Sequence, residues 1–170
     1  MRRGILFIFT LPMFLVGFVI AAPAALAQNA HFISADASVS GPNLVVSWKE
    51  SGLGNNQNID YTASADGTAT YVCVNKGGAN PSAANKTTVN GPVSATGTFN
   101  SGKNGNITAS LTVNPPSSGN FSCSPGQKLQ LASASYTNVK VTDDINTITE
   151  PISGTFSTGC LLPNVRGACD

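Results

Sequence analysis

The chain has 170 residues, nine basic against eight acidic, with one histidine and four cysteines. Only 10% of residues are charged and no basic run exists, so nucleic-acid binding has no electrostatic footprint here. Asn, Ser, Thr and Gly are abundant, yet β-branched residues are too frequent and net charge too low for a solvated coil.

Met1-Arg2-Arg3 precedes an apolar run over residues 5–20 and then Ala25-Leu26-Ala27. A positive end, an apolar stretch and a small-x-small site are what a secretion signal and its peptidase require. The expectation is a signal peptide over residues 1–27 and a single secreted domain over 28–170. Pro12 and Gly17 interrupt the run, no cysteine follows the cleavage region, and residues 161–170 lack an apolar tail. These features argue against a membrane anchor after cleavage, a lipid anchor and a tail-attached anchor. Removal of residues 1–27 takes Arg2 and Arg3 with it and leaves 143 residues, seven basic against eight acidic. The expected location is extracellular.

After residue 27 alternation replaces any helical period. His31–Ser40 reads as a first strand, with Ile33, Ala35, Ala37 and Val39 on one face and the more polar Phe32, Ser34, Asp36 and Ser38 on the other. Gly41-Pro42 ends it, and residues 44–49 resume with Leu44, Val46 and Trp48 in register. Residues 59–63 predict a short strand, Asp66-Gly67 a turn, and residues 68–75 a strand with apolar residues on both faces. Residues 87–89 and 93–99 follow on either side of Gly91-Pro92. The segment from Asn100 to Gly105 predicts a hairpin joining 93–99 to Ile107–Val113, since Asn and Gly accept the positive φ of such turns. Residues 128–142 form a long run in which Ala132 to Ser135 mark a bulge or a crossing between sheets, and 152–156 close the pattern.

Short strands separated by turn signals predict an all-β, antiparallel, immunoglobulin-like β-sandwich of about seven to nine strands. Cys73, Cys123, Cys160 and Cys169 all lie in the exported part, and an even count in an oxidising compartment reads as two disulfides. Three pairings are open; Cys73–Cys123 and Cys160–Cys169 are favoured, the first closing a long loop and the second stapling a short tail. No C-x-x-C pair accompanies the lone histidine, so zinc is not expected.

Ala69-Thr70-Tyr71-Val72-Cys73 resembles the A-x-Y-x-C stretch of immunoglobulin domains, and Trp48 resembles their buried tryptophan. No cysteine precedes Trp48 and Cys73 comes early, so the resemblance implies architecture alone. The stretch from Trp48-Lys49-Glu50-Ser51-Gly52 through Tyr71-Val72-Cys73-Val74-Asn75 to Ala83-Ala84-Asn85-Lys86 is similar to a group of small secreted proteins. That similarity implies a secreted single domain and no mechanism.

The chemistry on offer is thin. A Ser-His-Asp triad would need His31, and no G-x-S-x-G elbow is present. A copper brace at a new N-terminus would need a second histidine. Glu50, Asp60, Asp66, Asp143, Asp144 and Glu150 are the acids from which a glycosidase pair would be drawn, but nothing in the sequence says that two of them meet. Asp143-Asp144-Ile145-Asn146 carries oxygen ligands for Ca²⁺ without the spacing of an EF-hand, and reads first as a polar turn. Asn85, Asn106 and Asn120 each open an N-x-S/T triplet, which matters only where glycosylation machinery exists. Trp48 and Tyr71 fall on apolar faces, which leaves Tyr61 and Tyr136 as the candidates for stacking on a sugar ring. The expectation is a non-enzymatic binding or structural module without cofactor or metal. Its partner would be extracellular, a glycan or a cell surface; a carbohydrate-binding module or a small glycoside-active enzyme is the alternative.

Overall fold

The computed structural model describes residues 29–75 and 82–169, so the segment assigned to the signal lies outside the described residues. Among the described residues there are eight strands and no helix: β1 (His31–Ser40), β2 (Asn43–Ser51), β3 (Asn58–Asn75), β4 (Ala83–Asn100), β5 (Ile107–Val113), β6 (Gln127–Asp143), β7 (Ile148–Ile152) and β8 (Phe156–Ser157). Among the described residues no helix is long and apolar enough to cross a membrane. A three-stranded antiparallel sheet in the order β1-β2-β5 packs on a larger antiparallel sheet in the order β4-β3-β6-β7, with β8 beside β6. The fold is an all-β sandwich, as the alternation predicts.

Period-two alternation builds the core. Leu44, Val46 and Trp48 of β2 and Ile107 and Val113 of β5 face Ile59, Tyr61, Ala63 and Ala65 of β3 and Tyr136, Val139 and Val141 of β6. Trp48 lies 4.8 Å from Tyr61 and 5.4 Å from Phe99 between ring centroids, so the middle of the sandwich is aromatic.

Four expectations are corrected by the register. Residues 58–75 are one strand, and Asp66-Gly67 makes no turn: Asp66 pairs with Pro92 and Gly67 with Gly91. Gly67 is required for space, because a Cβ there would stand 2.8 Å from Pro116 Cδ. Gly91-Pro92 likewise breaks nothing. β4 is an edge strand, where a residue without an N–H is tolerated, and it runs unbroken over 83–100. The hairpin between 93–99 and Ile107–Val113 does not form, since β5 pairs with β2 and residues 101–106 carry the chain from one sheet to the other. In β1, Phe32 pairs with Glu50 and Ser34 with Lys49, so Ile33 is an extra residue. That bulge turns Phe32 toward the core and leaves Ile33 53% exposed, the reverse of strict alternation. The predicted irregularity in β6 is present: Ser133 pairs with Thr70 and Leu131 with Tyr71, leaving Ala132 over.

The large sheet outruns the small one. β3, β4 and β6 have 18, 18 and 17 residues against 10, 9 and 7 in β1, β2 and β5. Two irregular segments cover the overhang, one on each face. On the inner face residues 114–126 bring Pro116, whose carbonyl accepts the Tyr71 hydroxyl at 2.8 Å, and Cys123, which is bonded to Cys73. On the outer face the tail leaves the edge of β6 (Leu161 N–H to Ala132 O, 2.8 Å) and reaches the start of β4 (Ala83 N–H to Arg166 O, 3.0 Å). It lays Leu162, Val165 and Ala168 over Val72, Val74 and Ala132, and Cys160–Cys169 closes it. Both disulfides pair as expected.

Candidate functional site

Tyr61 and Tyr136, the proposed stacking residues, are both fully buried. Alternation explains why: each sits on the inward face of a strand in the middle of the large sheet. Tyr136 donates its hydroxyl to Pro42 O at 2.7 Å, and burial pushes its pKa up to about 12. Neither ring offers a face to a sugar, so the expected aromatic platform at Tyr61 and Tyr136 is absent.

The concentrated chemistry lies inside. β2 continues its inward series Leu44, Val46, Trp48 with Glu50, and β6 continues Val139, Val141 with Asp143; all but Trp48 and Val139 are wholly buried and those two nearly so. Tyr61 is the Cα partner of Asp143 and donates its hydroxyl to Glu50 Oε2 at 2.7 Å across the two sheets. Glu50 Oε1 has no hydrogen-bond donor. Burial, opposed by the Tyr61 hydrogen bond and reinforced by the neighbouring Asp143 carboxylate, pushes Glu50 up to about 7. Burial and then Glu50 raise Tyr61 above the ordinary phenol range. Two of the six acids therefore do meet, but with no exposed surface for a substrate to reach. The signal that locates them was available: a carboxylate at the next inward position of an apolar series.

The other candidate groups are engaged locally. Asp143 Oδ1 accepts the N–H groups of Ile145 (2.9 Å) and Asn146 (2.8 Å), and Oδ2 accepts Asn146 Nδ2 at 2.6 Å. This carboxylate closes the β6–β7 turn, so residues 143–146 behave as a polar turn, and the described residues hold no group of three or more His, Cys, Asp or Glu side chains able to bind a metal. His31 bonds through Nδ1 to Asn29 O at 2.8 Å and lies 3.2 Å from Ser51 Oγ through Nε2, with a carbonyl where a triad would hold an acid.

The outer face of the large sheet carries an ordered polar pattern. Thr96, Thr62, Thr142 and Thr149 are Cα partners in turn across β4, β3, β6 and β7. Neighbouring strands lie about 4.8 Å apart, so this row spans roughly 14 Å. Thr62 donates to Asp144 Oδ2 at 2.7 Å, Thr98 donates to Asp60, and Thr142 and Thr149 share a 2.9 Å hydrogen bond. The next row holds Ser94, Ser64, Lys140 and Pro151. The register of four strands is what aligns these residues.

No family model and no curated protein matches the sequence. Among solved structures, the chain is similar to the solution structure of CsgH from R. palustris, at 13% identity and a TM-score of 0.26. That alignment covers 76% of this chain and 90% of the other.

Proposed function

We propose that this protein is an exported, non-enzymatic module that binds an extended, hydroxyl-rich extracellular polymer through the outer face of its large sheet. The observation that carries this reading is the threonine row Thr96-Thr62-Thr142-Thr149, a straight line of donors and acceptors on four adjacent strands. The sealed position of Glu50 and Asp143 supports the non-enzymatic part. Export is supported by two disulfides, which persist in oxidising compartments, and by the leader-like residues 1–27. The strand orders, β1-β2-β5 facing β4-β3-β6-β7 with the short β8 added beside β6 and the chain crossing between the sheets, favour the immunoglobulin-like architecture. Where immunoglobulin domains join their sheets by a disulfide, this chain has the Tyr61–Glu50 hydrogen bond.

The test is sedimentation of the purified protein with insoluble polysaccharides and with whole cells. Thr62→Val with Thr96→Val keeps strand-forming side chains and removes two hydroxyls from the row; a tenfold or larger loss of binding is expected. Binding unchanged by that pair but lost on Lys49→Ala would move the site to the other sheet. Polysaccharide cleavage that disappears in Glu50→Gln would overturn the reading.

A further inference from the structure

Glu50 and Asp143 are the only buried ionised-type side chains among the described residues, and they reach Tyr61 from opposite sheets, Asp143 as its Cα partner and Glu50 as the acceptor of its hydroxyl. Their surroundings differ. Asp143 is surrounded by donors: two backbone N–H groups and the Asn146 amide occupy its two oxygens. Glu50 receives one donor, Tyr61, on Oε2, and its Oε1 has none. An ionised Glu50 would leave that buried oxygen unpaired beside a second carboxylate, a doubly unfavourable arrangement in a low-dielectric interior. A proton on Oε1 resolves both problems, because it removes the like charge and supplies a donor toward Asp143. We propose that the folded protein keeps Glu50 protonated below neutral pH and uses that proton to tie the small sheet to the large one, so that raising the pH to neutrality loosens the sandwich.

Four elements supply the groups that bear on Glu50. Tyr61 from β3 donates to it, Asp143 at the end of β6 repels its charge, and His31 from β1, when protonated, favours its ionised form. Trp48, its neighbour on the same inward face of β2, is apolar apart from a ring N–H without a partner. The balance pushes Glu50 from 4.5 to about 7. The sign follows from linkage. Between those two values the folded state holds a proton that the unfolded chain has released, so stability falls as pH rises. The contribution is complete below about 4.5 and lost above about 7.

The experiment is thermal unfolding of the disulfide-intact protein from pH 5 to pH 8.5, with Glu50→Gln in parallel. The wild-type midpoint should fall by roughly 5–10 °C over that range. Glu50→Gln should show no such fall and should melt above wild type at pH 8.5, because its amide donates to Asp143 and its carbonyl accepts from Tyr61 without any proton. A ¹³C titration of the wild-type Glu50 carboxyl, which needs no variant, should show a midpoint near neutrality. A flat or rising wild-type midpoint, an unchanged slope in Glu50→Gln, or a Glu50 carboxyl that titrates near 4.5 would overturn the proposal.

Discussion

Tyr61 holds its hydroxyl on Glu50 inside the core, and that one contact crosses between the sheets. Tyr61→Phe leaves Glu50 with no donor, so an unfolding loss of about 1–3 kcal/mol is expected. Denaturant titrations at pH 6 and pH 8 check this, and the loss should be larger at pH 8, where the unpartnered group is more often charged. Gly67 makes a different demand. Gly67→Ala forces a methyl to within 2.8 Å of the Pro116 ring, and the expected cost is about 1–3 kcal/mol in the same measurement. Asp66-Gly67 in the sequence looks like a turn because that pair is good at turning. What decided its conformation was a segment 49 residues further on, and one sequence carries no trace of that contact.

At the level of elements, irregularities in the strands direct side chains. The β1 bulge exchanges the roles of Phe32 and Ile33. Phe32→Ala should cost about 2–3 kcal/mol, since the ring packs edge-on against Tyr61 at 6.5 Å, whereas Ile33→Ser should stay within about 0.5 kcal/mol of wild type. Equal losses in the two variants, read from urea midpoints, would contradict the bulge. A second bulge in β6 sets Asn138 and Val139 against Ala65, and Asn138, at φ 52°, donates its amide to Asp66 at 2.7 Å. The all-β class and the inward series of β2 were legible because alternation reports burial directly. Bulges were less so, since one extra residue leaves the pattern intact on either side of it. Gly91-Pro92 reads as a break, yet Pro92 stands in an edge strand, β4, as Pro151 does in β7, where a missing N–H faces no neighbour.

For the whole molecule, the mismatch in sheet lengths governs stability. Half of the large sheet lies beyond the small one and depends on two coil segments held by disulfides. On loop-closure entropy, Cys73–Cys123, separated by 50 residues, contributes about 4 kcal/mol, and Cys160–Cys169, separated by nine, about 3 kcal/mol. Reduction should therefore open the overhang while the aromatic core persists. Limited proteolysis of the reduced protein should cut first within residues 114–126 and 158–169 and spare β2 and β5. Simultaneous loss of all strands would show instead that the overhang and the core unfold as one unit. The four cysteines made this pairing legible, because one short and one long separation left a natural choice. The threonine row was not legible, since it needs the register of four strands at once.

The two covers also give the fold a chronology. Strand pairing can begin as soon as the chain is free, but Val72 and Cys73 lie on opposite faces of β3 and each waits for its own segment to arrive and be fastened. Completion is thus dated by oxidation and not by synthesis. A chain held among reducing thiols is therefore expected to keep its overhang uncovered until an oxidant closes the two bridges.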